Sequence, residues 1–354
     1  MPSWQTNALN IALHLTVKRM MNSSGSVEAT RRFIEARRRR PVPPGCVITP
    51  ADCHSFRGEW VTTRHSSEAR TLLYLPGGGF MLPASAQVPS LVARLSRHAG
   101  TRGLIVNYRL APEHPFPAGL NDCLAAYRYL LDLGTDPKSI VIVGDSAGGG
   151  LTLSTLLALR DAGDPLPAAA AVISPFTDFT FGGESRVEND RKDPILSHGG
   201  MERMNPIYLR DTPPDHPLAS PVYGDFTGLP PILAHVGSTE VLLDDTRRVA
   251  QRARAQAVQF EVEVWDEVPH VWHLWRFLPE AQQAVARIGA FIREHTAGAD
   301  IAGHAFEAEF CAACDPDVLE PEVLVPDMPV PEVVVPPAVL APARRRRRRV
   351  KPQV

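Results

Sequence analysis

The stretch GDSAGGG, residues 144–150, places one serine between glycines directly after a run of strand-forming residues. The G-x-S-x-G pattern between a predicted strand and a predicted helix is typical of the turn that carries a nucleophilic serine. Gly144 and Gly148 would leave room for the neighbouring strand and helix, and the helix that begins at Ala147 would direct its positive N-terminus at the same place. The stretch therefore predicts that Ser146 attacks a carbonyl group, and a plain tight turn is the alternative.

A serine hydroxyl is a weak nucleophile and needs a base, which the stretch WDEVPHVWHLW at 265–275 can supply. We predict His270 as the base, because it follows Pro269 in a loop just beyond the last strand. His273 falls in the next turn and is predicted to be a packed neighbour. A structural role is the commoner one for any single histidine, but the chain order serine, acid, histidine favours catalysis here.

The acid that orients the base is expected after the preceding strand, where residues 238–245 read STEVLLDD. Glu240 comes early in that loop, where its carboxylate can reach the histidine, and it is the predicted acid. Asp244 is the alternative. Asp244 and Asp245 open the following helix, however, and both suit the end of a helix that favours negative charge.

The oxyanion of an acyl-transfer intermediate needs backbone N–H donors, and the stretch YLPGGGF at 74–80 offers them. Three glycines after a strand leave the backbone accessible, so that N–H groups can approach a small anion. Gly78 and Gly79 are the predicted donors, with the N–H of Ala147 as the third. A glycine turn without a chemical role is the alternative.

The elements that would position these residues alternate between strands and helices from about residue 45. Such alternation requires crossover connections and predicts a mostly parallel sheet. The first two strands follow each other without a helix, so we predict an antiparallel edge. Because ligands bind outside the C-terminal ends of parallel strands, the chemistry is expected there. The predicted strands are 46–49, 59–63, 72–75, 104–108, 140–143, 169–173, 232–236 and 260–265, and the predicted helices are 87–98, 117–133, 147–161, 243–256 and 279–295.

Two segments interrupt this alternation. Residues 178–228 form a long insertion between two predicted strands, which indicates a lid over the site. Residues 1–40 have a helical period, with apolar residues at four-residue steps from Leu9 to Val17. Arg37–Arg40 are predicted to be the solvated end of that helical region, and contact with an acidic partner is the alternative.

The composition of the 354-residue chain is ordinary for a globular protein, with 44% hydrophobic and 21% charged residues. The formal net charge of −2 gives no reason to expect nucleic-acid binding by the core. Five cysteines are too few and odd in number for a disulfide scaffold, so a cytoplasmic location is expected. The N-terminal stretch predicts an amphipathic helix and not a signal peptide, and no run reaches the roughly 18 apolar residues of a membrane span.

The composition changes after about residue 297, where proline becomes dense and aromatic residues are rare. Residues 298–354 are therefore predicted to be a disordered tail of extended, polyproline character. Its arginine run, Arg344–Arg349, could contact an anionic membrane, nucleic acid or the chain's own acidic stretch, and a passive tail is the simpler interpretation. Cys311 and Cys314 form a lone CxxC, a weak zinc or redox signal because two further ligands are lacking at a suitable spacing.

Four ordered stretches resemble the hormone-sensitive-lipase-like branch of the α/β-hydrolases, over about residues 55–295. NYRLAPEHPFPA at 107–118 resembles the Y-R-L-A-P-E signature of that branch, and GDSAGGG resembles its nucleophile motif. GSTEVLLDD at 237–245 resembles its acid loop, and VPHVWHLW at 268–275 its histidine loop. Four motifs in the same order make a chance resemblance improbable.

The resemblance implies an α/β-hydrolase fold, with a mostly parallel eight-stranded sheet flanked by helices. It also implies a helical cap over the site, built from residues 1–45 and about 180–215. Arg109 and Glu113 of the Y-R-L-A-P-E signature would form a structural pair that holds the loop beneath the site. The hydrolase domain is expected to end near residue 297.

The same resemblance implies a serine esterase that needs no metal or organic cofactor. The matching positions are the catalytic triad Ser146, Glu240 and His270 and the oxyanion donors Gly78, Gly79 and Ala147. This chain departs from the family pattern at one position. The family usually has histidine before the three glycines, where this chain has Pro76. That histidine braces the oxyanion loop by side-chain hydrogen bonds, which proline cannot make, although its fixed φ can stiffen the loop.

The expected partner is a small-molecule substrate, either a short-chain or compact hydrophobic ester or a lactone. Family members favour short-chain esters, and some relatives, such as monoterpene ε-lactone hydrolases, open lactones. A homodimer is the candidate assembly, and the competing hypothesis is a non-catalytic binding protein on the same fold. Core packing is the alternative role for the apolar residues that suit such a substrate, which are Phe80, Met81, Phe179, Trp272 and Trp275.

Overall fold

The computed structural model describes residues 1–22, 27–36, 42–43, 45–51 and 53–296. The helices are α1 (Trp4–Leu15), α2 (Val17–Asn22), α3 (Val27–Ala36), α4 (Val88–Ala99), α5 (Ala118–Asp132), α6 (Ala147–Ala162), α7 (Ser185–Glu188), α8 (His198–Glu202), α9 (Asn205–Tyr208), α10 (Leu243–Ala255) and α11 (Pro279–His295). The strands are β1 (Cys46–Pro50), β2 (Gly58–Thr63), β3 (Ser67–Leu75), β4 (Thr101–Val106), β5 (Ile140–Asp145), β6 (Ala169–Ile173), β7 (Ile232–Gly237) and β8 (Phe260–Trp265). Arg37–Arg40 and the predicted tail, 298–354, with its CxxC and its arginine run, lie outside the described residues.

The eight strands form one sheet in the order β1-β2-β4-β3-β5-β6-β7-β8. Strands β3 to β8 run parallel, whereas β2 pairs antiparallel with both β1 and β4. The predicted mostly parallel sheet and its antiparallel edge are therefore confirmed. Because the parallel strands all end at the same edge, the loops that follow β3, β5, β7 and β8 bring the predicted site residues together there.

Alternate residues of the central strands pack on opposite faces of the sheet. Leu73 and Leu75 of β3 join one core cluster with α5, α6 and α10, whereas Leu72 and Tyr74 join a second cluster with α4 and α11. A strand that is covered on both faces must be apolar along its length, which explains the continuous hydrophobic runs of β5 and β6. In the described ranges, none of the helices has the length and apolar character that a bilayer span requires.

The N-terminal helices contact both the insertion between β6 and β7 and the first turn of α11, the helix that follows the histidine loop. The Lys18 ammonium group donates to the carbonyl oxygen of Asp193 at 2.6 Å. The hydroxyl groups of Ser3 and Thr6 donate to the Glu280 carboxylate at 3.0 and 2.9 Å. The two segments of the predicted cap are therefore in direct contact with each other.

The predicted pair between Arg109 and Glu113 is wrong. Arg109 binds Asp122 of α5 instead, through its backbone N–H at 2.7 Å and its guanidinium Nη2 at 2.8 Å. Asp122 is buried, so its carboxylate requires a partner, and the neighbouring arginine supplies both a backbone and a side-chain donor. Glu113 points outwards and accepts hydrogen bonds from Arg31 of α3.

Candidate active site

Ser146 lies at the sharp turn between β5 and α6. Its φ of 53° and ψ of −120° are unusual for a residue with a side chain. Backbone hydrogen bonds hold this conformation, because the Ser146 N–H donates to the Ile173 carbonyl at 2.8 Å and its carbonyl accepts from the Phe176 N–H at 3.0 Å. A Cβ at Gly144 would overlap the carbonyl of Gly148, so the predicted steric reason for glycine in this turn is confirmed.

The structure brings Ser146, His270 and Glu240 into one hydrogen-bonded line. Ser146 Oγ lies 2.9 Å from His270 Nε2, and His270 Nδ1 lies 2.7 Å from Glu240 Oε2. Glu240 is fully buried and His270 is nearly so. Asp244, the alternative acid, lies in the first turn of α10 and accepts from the N–H of Ser185 at 2.9 Å.

The two oxygens of the Glu240 carboxylate have different partners. Oε1 accepts from the Ser174 hydroxyl at 2.7 Å and from the Gly237 N–H at 2.6 Å. Oε2 is thereby directed at His270 Nδ1. A carboxylate in this position requires a proton on Nδ1, which leaves the lone pair of the neutral imidazole on Nε2, the atom that faces Ser146. The imidazole is held in the tautomer that can accept the proton of a serine.

The charges around His270 favour its protonated form. Burial lowers the pKa of His270, but the hydrogen bond and negative charge of Glu240 outweigh burial, so that the pKa is raised above its ordinary value. Asp193 and Asp145 add to the rise. These carboxylates can therefore stabilise the imidazolium that forms when the base takes a proton.

The glycine turn after β3 lies beside the serine. A Cβ added at Gly77 would lie 3.1 Å from the Cβ of Ser146, so the two loops are in contact. Asp145 Oδ1 accepts hydrogen bonds from the Gly77 N–H at 2.9 Å and from the Tyr74 hydroxyl at 2.6 Å. Burial raises the pKa of Asp145 although both of these hydrogen bonds lower it. Asp145 thus ties the first glycine of the turn to the strand that carries the serine.

Further hydrogen bonds fix the turn on either side of the glycines. The hydroxyl of Tyr108 donates to the Pro76 carbonyl at 2.7 Å. The N–H groups of Met81 and Leu82 donate to the Gly78 carbonyl at 3.1 and 2.8 Å. Among the described residues, no acceptor binds the N–H groups of Gly78 and its neighbour Gly79, so both are available to an anion.

The insertion between β6 and β7 contributes two side chains that hold the acid loop. The Asn189 amide donates to the carbonyl oxygen of Glu240 at 3.0 Å. Asp193 accepts from the Val241 N–H at 3.0 Å through Oδ2, and its Oδ1 accepts from two N–H groups of its own loop. Both polar atoms of the peptide group that directly follows Glu240 are therefore bound by the segment predicted to form the cap.

His273 belongs to the core, as predicted. Its side chain is fully buried, and its Nε2 lies 3.1 Å from Nδ1 of the buried His235. Burial lowers the pKa of His273 well below its ordinary value. Trp272 is also fully buried and stacks on His235, so the packing alternative holds for this tryptophan.

Phe80 and Phe179 belong to a buried aromatic group beside the glycine turn. Phe80 stacks on Tyr208 with ring centroids 4.1 Å apart, and the rings of Phe80 and Phe179 are 5.5 Å apart. The Met204 side chain lies against the turn, with Cε 3.2 Å from where a Cβ at Gly79 would stand. Bulky side chains therefore occupy space next to the predicted oxyanion donors.

Sequence reasoning does not identify several residues that position the site. Asp145 has a local signal, since it is the acid inside the G-x-S-x-G motif. Ser174 directly follows β6, the strand between those that carry the serine and the acid, and this position alone could have indicated it. Asn189 and Asp193 lie in an insertion without a motif, and only their contacts reveal them.

The chain is similar to known esterases in sequence and in structure. A family model described as α/β hydrolase fold matches residues 72–274. The acetyl-hydrolase of Streptomyces hygroscopicus is 44% identical over 278 residues, which are 77% of this chain and 92% of that protein. An esterase from the bacterial hormone-sensitive lipase family is 38% identical with a TM-score of 0.78 and covers 84% of this chain and 100% of its own. EstE5, in a crystal soaked with p-nitrophenyl butyrate, is 37% identical with a TM-score of 0.79 and the same coverage.

Proposed function

Because the chain belongs to the α/β-hydrolase family, in its hormone-sensitive-lipase-like branch of carboxylic ester hydrolases, we propose that Ser146, His270 and Glu240 are its catalytic triad. The observation that carries this proposal is the hydrogen-bonded line from the serine hydroxyl through the imidazole to the buried carboxylate. The binding-protein hypothesis is not favoured, because the similar proteins are named as esterases and hydrolases.

The proposed reaction passes through an acyl-enzyme. His270 Nε2 takes the proton of Ser146 while Oγ attacks the carbonyl carbon of the ester. The imidazolium, which Glu240 stabilises, then gives this proton to the leaving alcohol as the bond from carbon to the alcohol oxygen breaks. A water molecule next loses a proton to His270 and attacks the acyl carbon. Ser146 regains its proton as the carboxylic acid departs.

We assign the oxyanion to the N–H groups of Gly78, Gly79 and Ala147. Ala147 is the first residue of α6, where the helix dipole favours negative charge. Asp145 and Tyr108 fix the glycine turn before substrate arrives. Preorganised donors of this kind are worth roughly 10²–10³-fold each in rate, because they cost no reorganisation when charge develops on the carbonyl oxygen.

A compact acyl group, of about acetyl to butyryl size, is the substrate class that we propose. The Met204 side chain against Gly79 and the stacked pair of Phe80 and Tyr208 take up space that a long acyl chain would need. Similarity to a protein named acetyl-hydrolase and to EstE5, soaked with p-nitrophenyl butyrate, supports the same class. A lactone of similar size offers the same carbonyl chemistry and belongs in the same test.

The proposal is tested by hydrolysis of p-nitrophenyl acetate, butyrate, octanoate and palmitate and of a seven-membered lactone. We expect the highest kcat/KM for acetate or butyrate. Replacing Ser146 with alanine should reduce kcat by roughly 10⁴-fold or more for every substrate that is turned over, because triad residues act as a unit.

A matched control is Ser154→Ala, which removes a buried serine hydroxyl from α6, the helix that directly follows Ser146, and should keep wild-type turnover. Undiminished hydrolysis by folded Ser146→Ala protein would refute the triad. A preference for palmitate, or for the lactone over every linear ester, would refute the proposed substrate class while leaving the triad intact.

The compartment, the assembly and the tail stay predictions. The low and odd number of cysteines is the basis for a cytoplasmic location. The homodimer and the choice between a passive and an anion-binding arginine tail await measurements of molecular mass and of salt-sensitive binding.

A further inference from the structure

The guanidinium group of Arg31, on α3, joins the N-terminal segment to the glycine turn. Its Nε donates to the carbonyl oxygen of Met81 at 2.7 Å. Its Nη2 donates to the carbonyl oxygen of Ala111 at 2.5 Å, and its Nη1 donates to both oxygens of Glu113 at 2.7 and 2.8 Å. The arginine is mostly shielded from solvent, whereas Glu113 is half-exposed. One side chain thus contacts two loops that are distant from it in sequence.

The two residues whose carbonyl groups Arg31 binds are themselves hydrogen-bonded to the glycine turn and to the residue that follows it. Met81, which follows Phe80 in the chain, donates its N–H to the carbonyl of Gly78 at 3.1 Å. The N–H of Ala111 donates to the Phe80 carbonyl at 3.0 Å. Arg31 therefore closes a hydrogen-bonded ring with Phe80, Met81 and Ala111, directly after the glycines of the turn.

We propose that Arg31 is a positioning residue for the oxyanion turn, which it holds by binding the Met81 and Ala111 carbonyl groups. The N-terminal helix thereby takes over part of the bracing that Pro76 cannot supply. The inference rests on the proposed oxyanion role of Gly78 and its neighbour. Arg31 acts on the reaction only through the backbone of the turn.

The geometry requires arginine in particular. Its N–H groups donate in different directions to three acceptors, the Met81 and Ala111 carbonyl groups and the Glu113 carboxylate. Only the forked guanidinium can bind all three at once, whereas a lysine ammonium is a single point of charge. The ion pair with Glu113 is partly exposed and screened by solvent, so it contributes little by itself. The contacts with the Met81 and Ala111 carbonyl groups should carry most of the effect.

The test compares Arg31→Ala, Arg31→Lys and Glu113→Gln in the full chain with p-nitrophenyl butyrate. We expect Arg31→Ala to lower kcat by about 10–100-fold with KM nearly unchanged, since displaced donors cost less than the 10²–10³-fold of a removed donor. Arg31→Lys should recover only part of the loss, and Glu113→Gln should stay within about threefold of wild type, as expected for a partly exposed ion pair.

A second readout separates positioning from a structural role. A trifluoromethyl ketone forms a tetrahedral adduct with the serine, so its inhibition constant should rise in proportion to the loss of kcat in each variant. Arg128→Ala is the control, because it removes another arginine–carboxylate pair, formed by Arg128 of α5 with Asp164 in the loop after α6. Its kcat and inhibition constant should equal those of wild type.

Three outcomes would overturn the inference: a raised KM with unchanged kcat, a lowered melting temperature with unchanged kcat, or an inhibition constant that does not follow kcat. If Arg31→Ala fails to fold, wild-type kcat in Arg31→Lys would overturn it equally. Failure of the triad is recognised separately, because it would appear as turnover by Ser146→Ala regardless of Arg31.

Discussion

The histidine end and the oxyanion end of the candidate site are built in different ways. At the histidine end the proposed reacting groups are side chains, and His270, Glu240 and Ser174 come from loops that follow neighbouring strands of one sheet. At the oxyanion end the proposed reacting groups are backbone N–H groups. Their placement depends on Arg31 and Tyr108, which reach the turn from elsewhere in the chain.

This difference decides how each end can be damaged. A single substitution at the histidine end removes or misdirects a proton carrier, so its effect on turnover is large. At the oxyanion end each supporting side chain only shifts a donor, and several supports share the task. We therefore expect the histidine end to fail at one residue and the oxyanion end to weaken by steps.

The largest effect that would test this contrast is expected for Glu240→Gln. Ser174 and Gly237 both donate to the Oε1 position, so the amide oxygen must take that position and the NH₂ group must face His270 Nδ1. Nδ1 then becomes an acceptor and the proton moves to Nε2, where it blocks proton transfer from Ser146. By analogy with the same change in other triads, kcat should fall roughly 10⁴-fold.

The pH profile gives an independent check on Glu240. The base works only when His270 is neutral, and its pKa is raised, so wild-type kcat/KM should rise with pH through a midpoint above about 6.5. Loss of the Glu240 charge lowers that pKa, and the acid limb of Glu240→Gln should move to lower pH. If the acid limb of Glu240→Gln does not move and its kcat stays near that of wild type, another group orients the histidine.

A smaller effect is expected for Asp145→Ala, at the oxyanion end. The change removes the oxygen that accepts from the Gly77 N–H and from the Tyr74 hydroxyl. The buried Tyr74 hydroxyl thereby loses this hydrogen bond. We expect kcat to fall about 100-fold, near the low end for loss of one oxyanion donor, and stability to fall by about 1–3 kcal/mol. Asp145→Asn keeps the acceptor oxygen and is the matched control, with a loss of tenfold or less. Equal losses in both variants would show that charge, not support of the turn, is what Asp145 provides.

The contrast between the two ends also governs what the sequence can predict. The eight strands and the residues brought together at their C-terminal edge are predictable, because buried strands are continuous apolar runs and side-chain chemistry requires particular residue types. The residues at which the strands begin and end are less predictable. Strand β3 begins at Ser67, five residues before the predicted start, because its first residues are polar and partly exposed and have no apolar pattern.

The roles of Arg31 and Tyr108 as supports of the oxyanion turn could not be predicted from the sequence, whereas Asp145 at least has the local signal of its motif. A backbone donor has no residue type of its own, and the side chains that hold it are identified only when the fold brings them near. Glu113 illustrates this, because the motif suggests Arg109 as its partner, whereas the chain folds so that Arg31 reaches it. Sequence motifs identify residues that react, and long-range packing decides which residues hold them in place.

The smallest effect is expected for Pro76→His, which restores the residue usual in the family. A cleft of about 250 Å³ beside Pro76, lined by Arg57 and Asn107 among others, has room for an imidazole. Because Arg31, Tyr108 and Asp145 already hold the turn, kcat/KM should change by less than about tenfold, as expected where preorganised donors are not displaced. Loss of the proline should lower stability by about 0.4–1 kcal/mol through the unfolded chain, measurable as a lower melting temperature. A rise of 100-fold or more in kcat/KM would mean that these three supports leave the turn loose, and that the oxyanion end, like the histidine end, depends on a single side chain.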